Sequence, residues 1–218
     1  MVAGVVTPEA TVSPLPAFLD RVGRELFRRL EIEITFTALP AERALININS
    51  GLDDGDMFRP PGVEALYPNL IMVPERVLDV DFMAYTKRPD IKIRKPEDLH
   101  LYTVGIPNGW FVVERRLKPP NEFTRTTTVN ELYSMIDKGR VDIIILGRYG
   151  GPTAVNSDAQ AHGLLAHEPP LVQSGMFMYM NKKHAALVPR LAQALKDMKA
   201  DGSYRKILDA TLYRMEAK

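Results

Sequence analysis

The stretch "DKGRVDIIILGRYGG", Asp137–Gly151, decides the fold. A helix end runs through Gly139 into an apolar run, Val141 to Leu146, that opens into Gly147, Arg148, Tyr149 and two further glycines. A short β-branched run bounded by glycines reads as a buried strand. In open α/β sheets ligands bind outside the carboxyl ends of the strands, so an arginine beside bare backbone at such an end marks a place to look for a site. Just upstream, Thr128 and Glu131 have the spacing of a capping box, which predicts a helix through Leu132, Met135 and Ile136 that stops at Gly139.

The same alternation extends in both directions. Val2 to Thr7 reads as a strand and "PEATVSPLP" as a proline-punctuated loop. From Pro16, the apolar residues Phe18, Leu19, Val22, Leu26 and Leu30 recur at three and four, as on one face of a helix. "IEITFTAL" alternates at period two, which completes a βαβ unit. A short helix over Ala41 to Asn47, a strand "MFR" ending at Arg59 and a helical turn over Val63 to Leu66 follow, then two apolar, β-rich runs, "NLIMV" and "VDFMAYT", the second a candidate crossing between lobes. "KRPDIKIRKPEDLH" reads as a solvated linker that divides the chain near Thr86 and Lys87. Beyond it come a strand "LYTVGI", a turn "PNGW", a helix opening at "WFVVERRL" and a strand "FTRTTT". Glycine-, proline- and histidine-bearing loops lead to a strand "GMFMYMNK" and two helices, Ala186 to Ala200 and Ser203 to Met215. No internal repeat or low-complexity segment is present.

Composition excludes several classes. The 218 residues are 45% hydrophobic and 25% charged, enough apolar material for one large domain or two lobes. The net charge of +1 provides no overall field for nucleic acid or an anionic membrane. With no cysteine there are no disulfides, thiolate metal sites or thiol catalysis, and the compartment is left open. No apolar run approaches the roughly 20 residues of a membrane span, and "MVAGVVTPEA" lacks the features of a secretion signal. Two readings remain, a cytoplasmic protein or a mature chain whose leader has been removed.

Catalytic and metal chemistry is thinly represented. His100, His162, His167 and His184 have no metal-ligand spacing and read as solvated loop residues. No serine lies in a G-x-S-x-G context, and neither a P-loop nor G-x-G-x-x-G occurs. Asp53, Asp54 and Asp56 lack the rest of a calcium loop and read as a hydrophilic turn. No cofactor and no metal are therefore expected. More informative are the polar interruptions "TPEA", "FRPPG", "PNGW" and "LGRYGG", each where a parallel strand would end. Gly109 and Trp110 stand before a helix, where free N–H groups favour an anion, and Arg59 offers a planar fork for a carboxylate. The structural alternatives are that Trp110 belongs to the core and that Arg59 pairs with Asp56 or Glu64.

At this point the sequence resembles the type II periplasmic solute-binding proteins, family 3, which include the amino-acid receptors of ABC transporters. "LPAERALININSGLDDGDMFR", "EDLHLYTVGIPNGW", "VNELYSMIDKGRVDIIILG" and "MNKKHAALVPRLAQALKDMKADGSYRKILDATL" match that family's segments in order and cover nearly the whole chain. The resemblance implies an α/β, two-lobed periplasmic-binding-protein-like II fold with two crossing hinge strands, lobe one being residues 1–84 plus 181–218 and lobe two 85–180. It also implies a clamp that closes on a small molecule. Arg59 matches the region of the family's carboxylate-holding arginine, although the T-x-E-R signature is absent. Many amino-acid receptors carry an ammonium-binding aspartate five residues after the "GrvD" aspartate. Counting from Asp142, that position is Gly147, beside Arg148, and an arginine there would repel an ammonium.

The expectation is thus a non-catalytic receptor, periplasmic or secreted, that captures a small polar, anionic or carboxylate-bearing ligand in an interlobe cleft for uptake or sensing. Its expected ligand-binding residues are Glu9, Phe58, Arg59, Gly109, Trp110, Thr126, Arg148 and Tyr149. The partners implied are the small molecule and a membrane transporter or sensor kinase, with no nucleic acid, no membrane insertion and a monomeric state. The rivals are an enzyme on the same fold, of the cyclohexadienyl-dehydratase kind with Glu9 as general acid, and a sensory domain that has lost its ligand.

Overall fold

The computed structural model describes residues 2–6, 14–117, 122–149 and 157–212. In chain order the elements are β1 (Val2–Val6), α1 (Leu15–Arg29), β2 (Ile34–Ala38), α2 (Ala41–Ser50), β3 (Gly55–Arg59), β4 (Leu70–Thr86), β5 (Val104–Pro107), α3 (Phe111–Leu117), β6 (Thr124–Thr126), α4 (Val129–Asp137), β7 (Ile143–Tyr149), α5 (Ser157–Ala161), β8 (Leu165–Asn181), α6 (Val188–Ala200) and α7 (Ser203–Thr211). Short 3-10 segments stand at Val63–Ala65, Pro96–Leu101 and Lys182–Leu187. The chain forms two compact units, one built on Pro14–Asp79, β1 and the segment from Gly175, the other on Val80–Ser174. β4 and β8 are each 17 residues long and contribute to both units.

In the first unit the strand order is β2-β1-β3-β8, with β1 parallel to β2 and β3 and with β8 antiparallel to β3. α1 buries Phe18, Leu19, Val22 and Leu26, the predicted stripe, and begins beside prolines that preset its first turn. Gly23 permits close packing on β2, because a Cβ there would lie 2.4 Å from the Phe36 ring. α6 and α7 pack with α1 through Leu191, Leu195, Met198 and Leu208. The Arg29 guanidinium closes the joint on Asp201 at 2.7 Å and the Ser203 hydroxyl at 2.9 Å.

In the second unit the order is β4-β7-β5-β6, with β7 antiparallel to β4 and parallel to β5, and β6 parallel to β5. α4 begins at Thr128, whose hydroxyl accepts from the Glu131 N–H, while the Glu131 carboxylate accepts from the Thr127 N–H at 2.9 Å. Such a cap stabilises a helix by about 1 kcal/mol. Leu132, Tyr133 and Ile136 of α4 pack over Met83, Tyr85, Ile144 and Leu146, all on one face of β4 and β7. Asp142 ties the start of β7 to the chain before β5. Its carboxylate accepts from the Thr103 hydroxyl at 2.7 Å and the Thr103 N–H at 3.0 Å, and pairs with Arg88 at 3.1 Å. Although burial works against its charge, these partners hold Asp142 below the usual aspartate range.

Four expectations from the sequence need correction. The runs "NLIMV" and "VDFMAYT" are one continuous strand, β4, because the polar Pro74–Arg76 stretch between them stays extended, with Glu75 held by Lys199 at 2.5 Å and the Val77 carbonyl held by the Tyr204 hydroxyl at 2.6 Å. β8 begins well before "GMFMYMNK". The "solvated linker" buries Ile91, Ile93 and Leu99 and is therefore pinned by apolar side chains among its charges. Three of the four histidines are engaged. His162 stacks on Tyr133 at 4.2 Å and meets Asp137, His184 meets Asp54 at 2.7 Å, and the Nδ1 of His167 accepts from the Ile93 N–H. The helix α5 was also missed, since "SDAQA" is too short to show a period.

Candidate functional site

In the first unit the strand-end residues come from β3. Residues three apart on a regular strand face opposite ways, so Asp56 and Arg59 should not meet. They do so because β3 spans Asp56 to Arg59 while β8 spans only Tyr179 to Phe177, an extra residue that makes a bulge and turns both side chains to the same side. The Arg59 Nε donates to Asp56 Oδ2 at 2.6 Å, its Nη2 lies 2.5 Å from the same oxygen, and the Phe58 N–H donates to Asp56 Oδ1 at 2.8 Å. Both side chains are buried. Burial pushes the Asp56 carboxyl up, against the pull of the Arg59 charge and the Phe58 N–H. Beside them the Tyr179 hydroxyl donates to Glu64 at 2.7 Å, and burial together with that carboxylate raises the phenol.

In the second unit the alternation of β7 separates two residues adjacent in sequence. Arg148 lies opposite Asp81, and Gly147 and Tyr149 lie opposite Phe82 and Val80. Arg148 therefore shares a face with Asp81, Met83, Tyr85 and Leu146, the side that carries α4. Its Nη2 donates to Asp81 Oδ2 at 2.9 Å and its Nη1 to Glu168, while Gln173 donates to the other Asp81 oxygen at 2.7 Å. Burial opposes the Arg148 charge, but the hydrogen bonds it donates to Asp81 and Glu168 outweigh that and its pKa is raised. Burial also pushes the Tyr85 phenol up to about 12.

Tyr149, Gly147 and Phe82 occupy the other face, and the Trp110 ring meets Phe82 edge-on at 5.3 Å. Trp110 follows the "PNG" turn, in which Gly109 takes a φ of +81° that only glycine adopts without strain. The Asn108 N–H, donating to the Thr126 carbonyl at 2.8 Å, locks that turn to β6. The Thr126 hydroxyl donates to the Thr128 carbonyl at 2.9 Å and so supports the entrance to α4.

The structure thus brings Trp110 and Tyr149 to one face of the second unit, with Gly109 and Thr126 nearby in the turns that hold them. It places Arg148 on the opposite face and Arg59 and Phe58 in the first unit, and Glu9 lies outside the described residues. Phe82, Asp81, Glu168 and Gln173 were missed. Asp81 carried a signal, being an acid inside an apolar strand that demands a buried partner; Gln173 and Glu168 carried none. Among the described residues no group of three or more acids and histidines could hold a metal ion, and no helix is long and apolar enough to cross a membrane.

No protein-family model matches the chain. An uncharacterised protein of Shewanella oneidensis is 27% identical over 204 residues, covering 87% of this chain and 72% of the other. Among solved structures, the substrate-binding protein of an amino-acid ABC transporter superposes with a TM-score of 0.78 at 16% identity, over 98% of this chain and 99% of that one. The ancestral amino-acid-binding protein AncCDT-1, a precursor of cyclohexadienyl dehydratase, also superposes with a TM-score of 0.78, at 14% identity, over 97% and 95%. The chain therefore has the two-lobed periplasmic-binding-protein fold.

Proposed function

We propose that this chain is a non-catalytic receptor that captures a small organic solute outside the cytoplasm, for an ABC transporter or a sensor kinase. The observation that carries the reading is the pair of partly exposed aromatic side chains at the strand ends of the second unit, Trp110, which packs on the buried Phe82, and Tyr149 at the end of β7, on a fold that also belongs to amino-acid-binding proteins. Strand ends are where α/β sheets hold ligands, and aromatic side chains with a few polar neighbours are what such pockets present. The carboxylate suggested by the two arginines would compete with Asp56 for Arg59 and with Asp81 and Glu168 for Arg148. Thermal denaturation against a broad panel of amino acids, carboxylic acids and sugars tests the reading. A true ligand at 100 times its Kd adds about 2.7 kcal/mol, and a panel with no stabilising member overturns it.

A second reading, an enzyme, is favoured by the likeness to the dehydratase precursor. It requires a general acid, and the candidate remains Glu9. Turnover of prephenate or arogenate that Glu9→Gln abolishes would establish it; a solute bound tightly and released unchanged would remove it.

A further inference from the structure

Asn108 and Gly109 form the single Asn-Gly pair of the chain, in the turn between β5 and α3. An asparagine side chain and the N–H that follows it stand one ring closure apart, because attack of that nitrogen on Cγ makes a five-membered succinimide. Closures of this kind are fast when the reacting atoms are free to meet. In a folded chain they are held back by a hydrogen bond on the carboxamide, by one on the following N–H, or by the Cβ of the next residue.

Among the described residues the other asparagines are held. Asn47 Nδ2 donates to Asp53 at 2.9 Å, Asn49 Oδ1 accepts from the Asn69 N–H at 3.1 Å, Asn69 Nδ2 donates to the Asn49 carbonyl at 3.0 Å, and Asn181 Nδ2 donates to the Ile48 carbonyl at 2.6 Å. Asn130 is followed by the Glu131 N–H, which donates to the Thr128 hydroxyl at 3.2 Å. Asn108 differs. Its backbone N–H is fixed on the Thr126 carbonyl at 2.8 Å, but among the described residues neither its carboxamide nor the Gly109 N–H is hydrogen-bonded. Both residues are partly exposed to solvent, and Gly109 has no Cβ to obstruct the closure.

We propose that Asn108–Gly109 is a site of spontaneous covalent modification, at which the folded chain converts to aspartyl and isoaspartyl forms, and that the isoaspartyl form displaces Trp110. The deprotonated Gly109 nitrogen attacks Asn108 Cγ. The new N–Cγ bond forms, the Cγ–Nδ2 bond breaks, and the side-chain nitrogen leaves as ammonia. Water then opens the ring: cleavage of the new bond leaves aspartate, and cleavage of the original backbone C–N bond leaves isoaspartate, whose main chain runs through Cβ and Cγ. Either product places a negative charge at the end of β5. The isoaspartate also lengthens the turn by one main-chain bond of about 1.5 Å, between the anchor on Thr126 and the Trp110 ring that meets Phe82 at 5.3 Å. The proposal stands apart from the receptor reading, since it concerns the covalent chain of the turn and not what binds there.

The full chain is incubated in mildly alkaline buffer, folded and in parallel in urea, and its peptides are followed by mass spectrometry with fragmentation that separates aspartate from isoaspartate. Asn108 of the folded chain should convert within about tenfold of its rate in urea, and at least about tenfold faster than Asn49 or Asn181 of the folded chain. The rate should rise about tenfold per pH unit, as the deprotonated fraction of the attacking nitrogen does. Asn108→Gln, which would have to close a six-membered ring, stays unconverted. Trp110 is the only tryptophan, so its emission reports on the turn: it shifts in the isoaspartyl fraction and stays unchanged in Asn108→Gln after the same incubation. The inference is overturned if folded Asn108 converts no faster than Asn49 or Asn181, if folding slows its conversion by more than about tenfold, or if the purified isoaspartyl form keeps the emission of the fresh protein.

Discussion

The two units each bury an arginine at the end of a strand, and they bury it differently. Arg59 is met by Asp56, three residues earlier on its own strand, through a bulge. Arg148 is met by Asp81, 67 residues earlier and directly opposite on the neighbouring strand, with Gln173 and Glu168 completing the cluster. The first pair is made by local backbone irregularity and the second by sheet register. In both, the carboxylate that an arginine at a strand end calls for is already supplied by the chain itself. A buried guanidinium whose partner is in place is a structural feature first, because an unpaired charge there would cost more than the pair contributes.

The largest test of that difference is Asp81→Ala. It leaves the buried Arg148 cation without its cross-strand partner and strips Gln173 of its acceptor, so urea denaturation should show a loss of about 3–5 kcal/mol. Replacing both partners, Arg148→Met with Asp81→Leu, should recover most of this, and a double variant as unstable as the single one would show that the pair is needed for more than charge balance. Asp56→Asn is expected to cost less, about 2 kcal/mol, because the amide oxygen still accepts from the Phe58 N–H while the charge-assisted bond to Arg59 is lost.

Acidification separates the units next. Burial, with Lys92 adding to it, holds the His167 imidazole below its ordinary pKa of 6.5 in the folded second unit. The unfolded chain then takes up the proton at higher pH than the folded chain, so this contribution is fully present above about pH 6.5 and is lost as the pH falls below it. Asp56 in the first unit shifts upward and has no such liability to acid. Urea melts at pH 7.5 and 5.5 should therefore show a decline that His167→Gln reduces; an unchanged decline in the variant would assign it elsewhere. The smallest effect is expected of Glu168→Gln. Its side chain is 60% exposed, so despite its contact with Arg148 the loss should stay under about 1 kcal/mol, and a larger one would move Glu168 into the buried network with Asp81.

Much of the fold was legible because its elements announce themselves locally. The α1 stripe, the period of β2, the capping box of α4 and the glycine after it are short-range signals, and each lies where the sequence places it. The failures share a cause. Pro74–Arg76 stays extended and Ile91 and Ile93 are buried because of neighbours distant in the chain, which no window of adjacent residues contains. At the candidate site, strand ends and turn residues point to Trp110, Gly109 and Tyr149 as candidates, whereas Phe82 stays hidden in an apolar run until its register with Gly147 is known.

By itself, the sequence "DKGRVDIIILGRYGG" determined a strand, its direction and the exceptional character of its end, since helix stop, apolar run and glycines are local matters of sterics and hydrophobicity. Only the tertiary structure decided which neighbour matters. Pairing β7 with β4 in one register sets Arg148 against Asp81 on the face under α4 and leaves Gly147 to carry the Tyr149 ring on the other. A shift of one residue would exchange the two faces, because strand side chains alternate with a period of two, and the charge would then stand where the aromatic surface is.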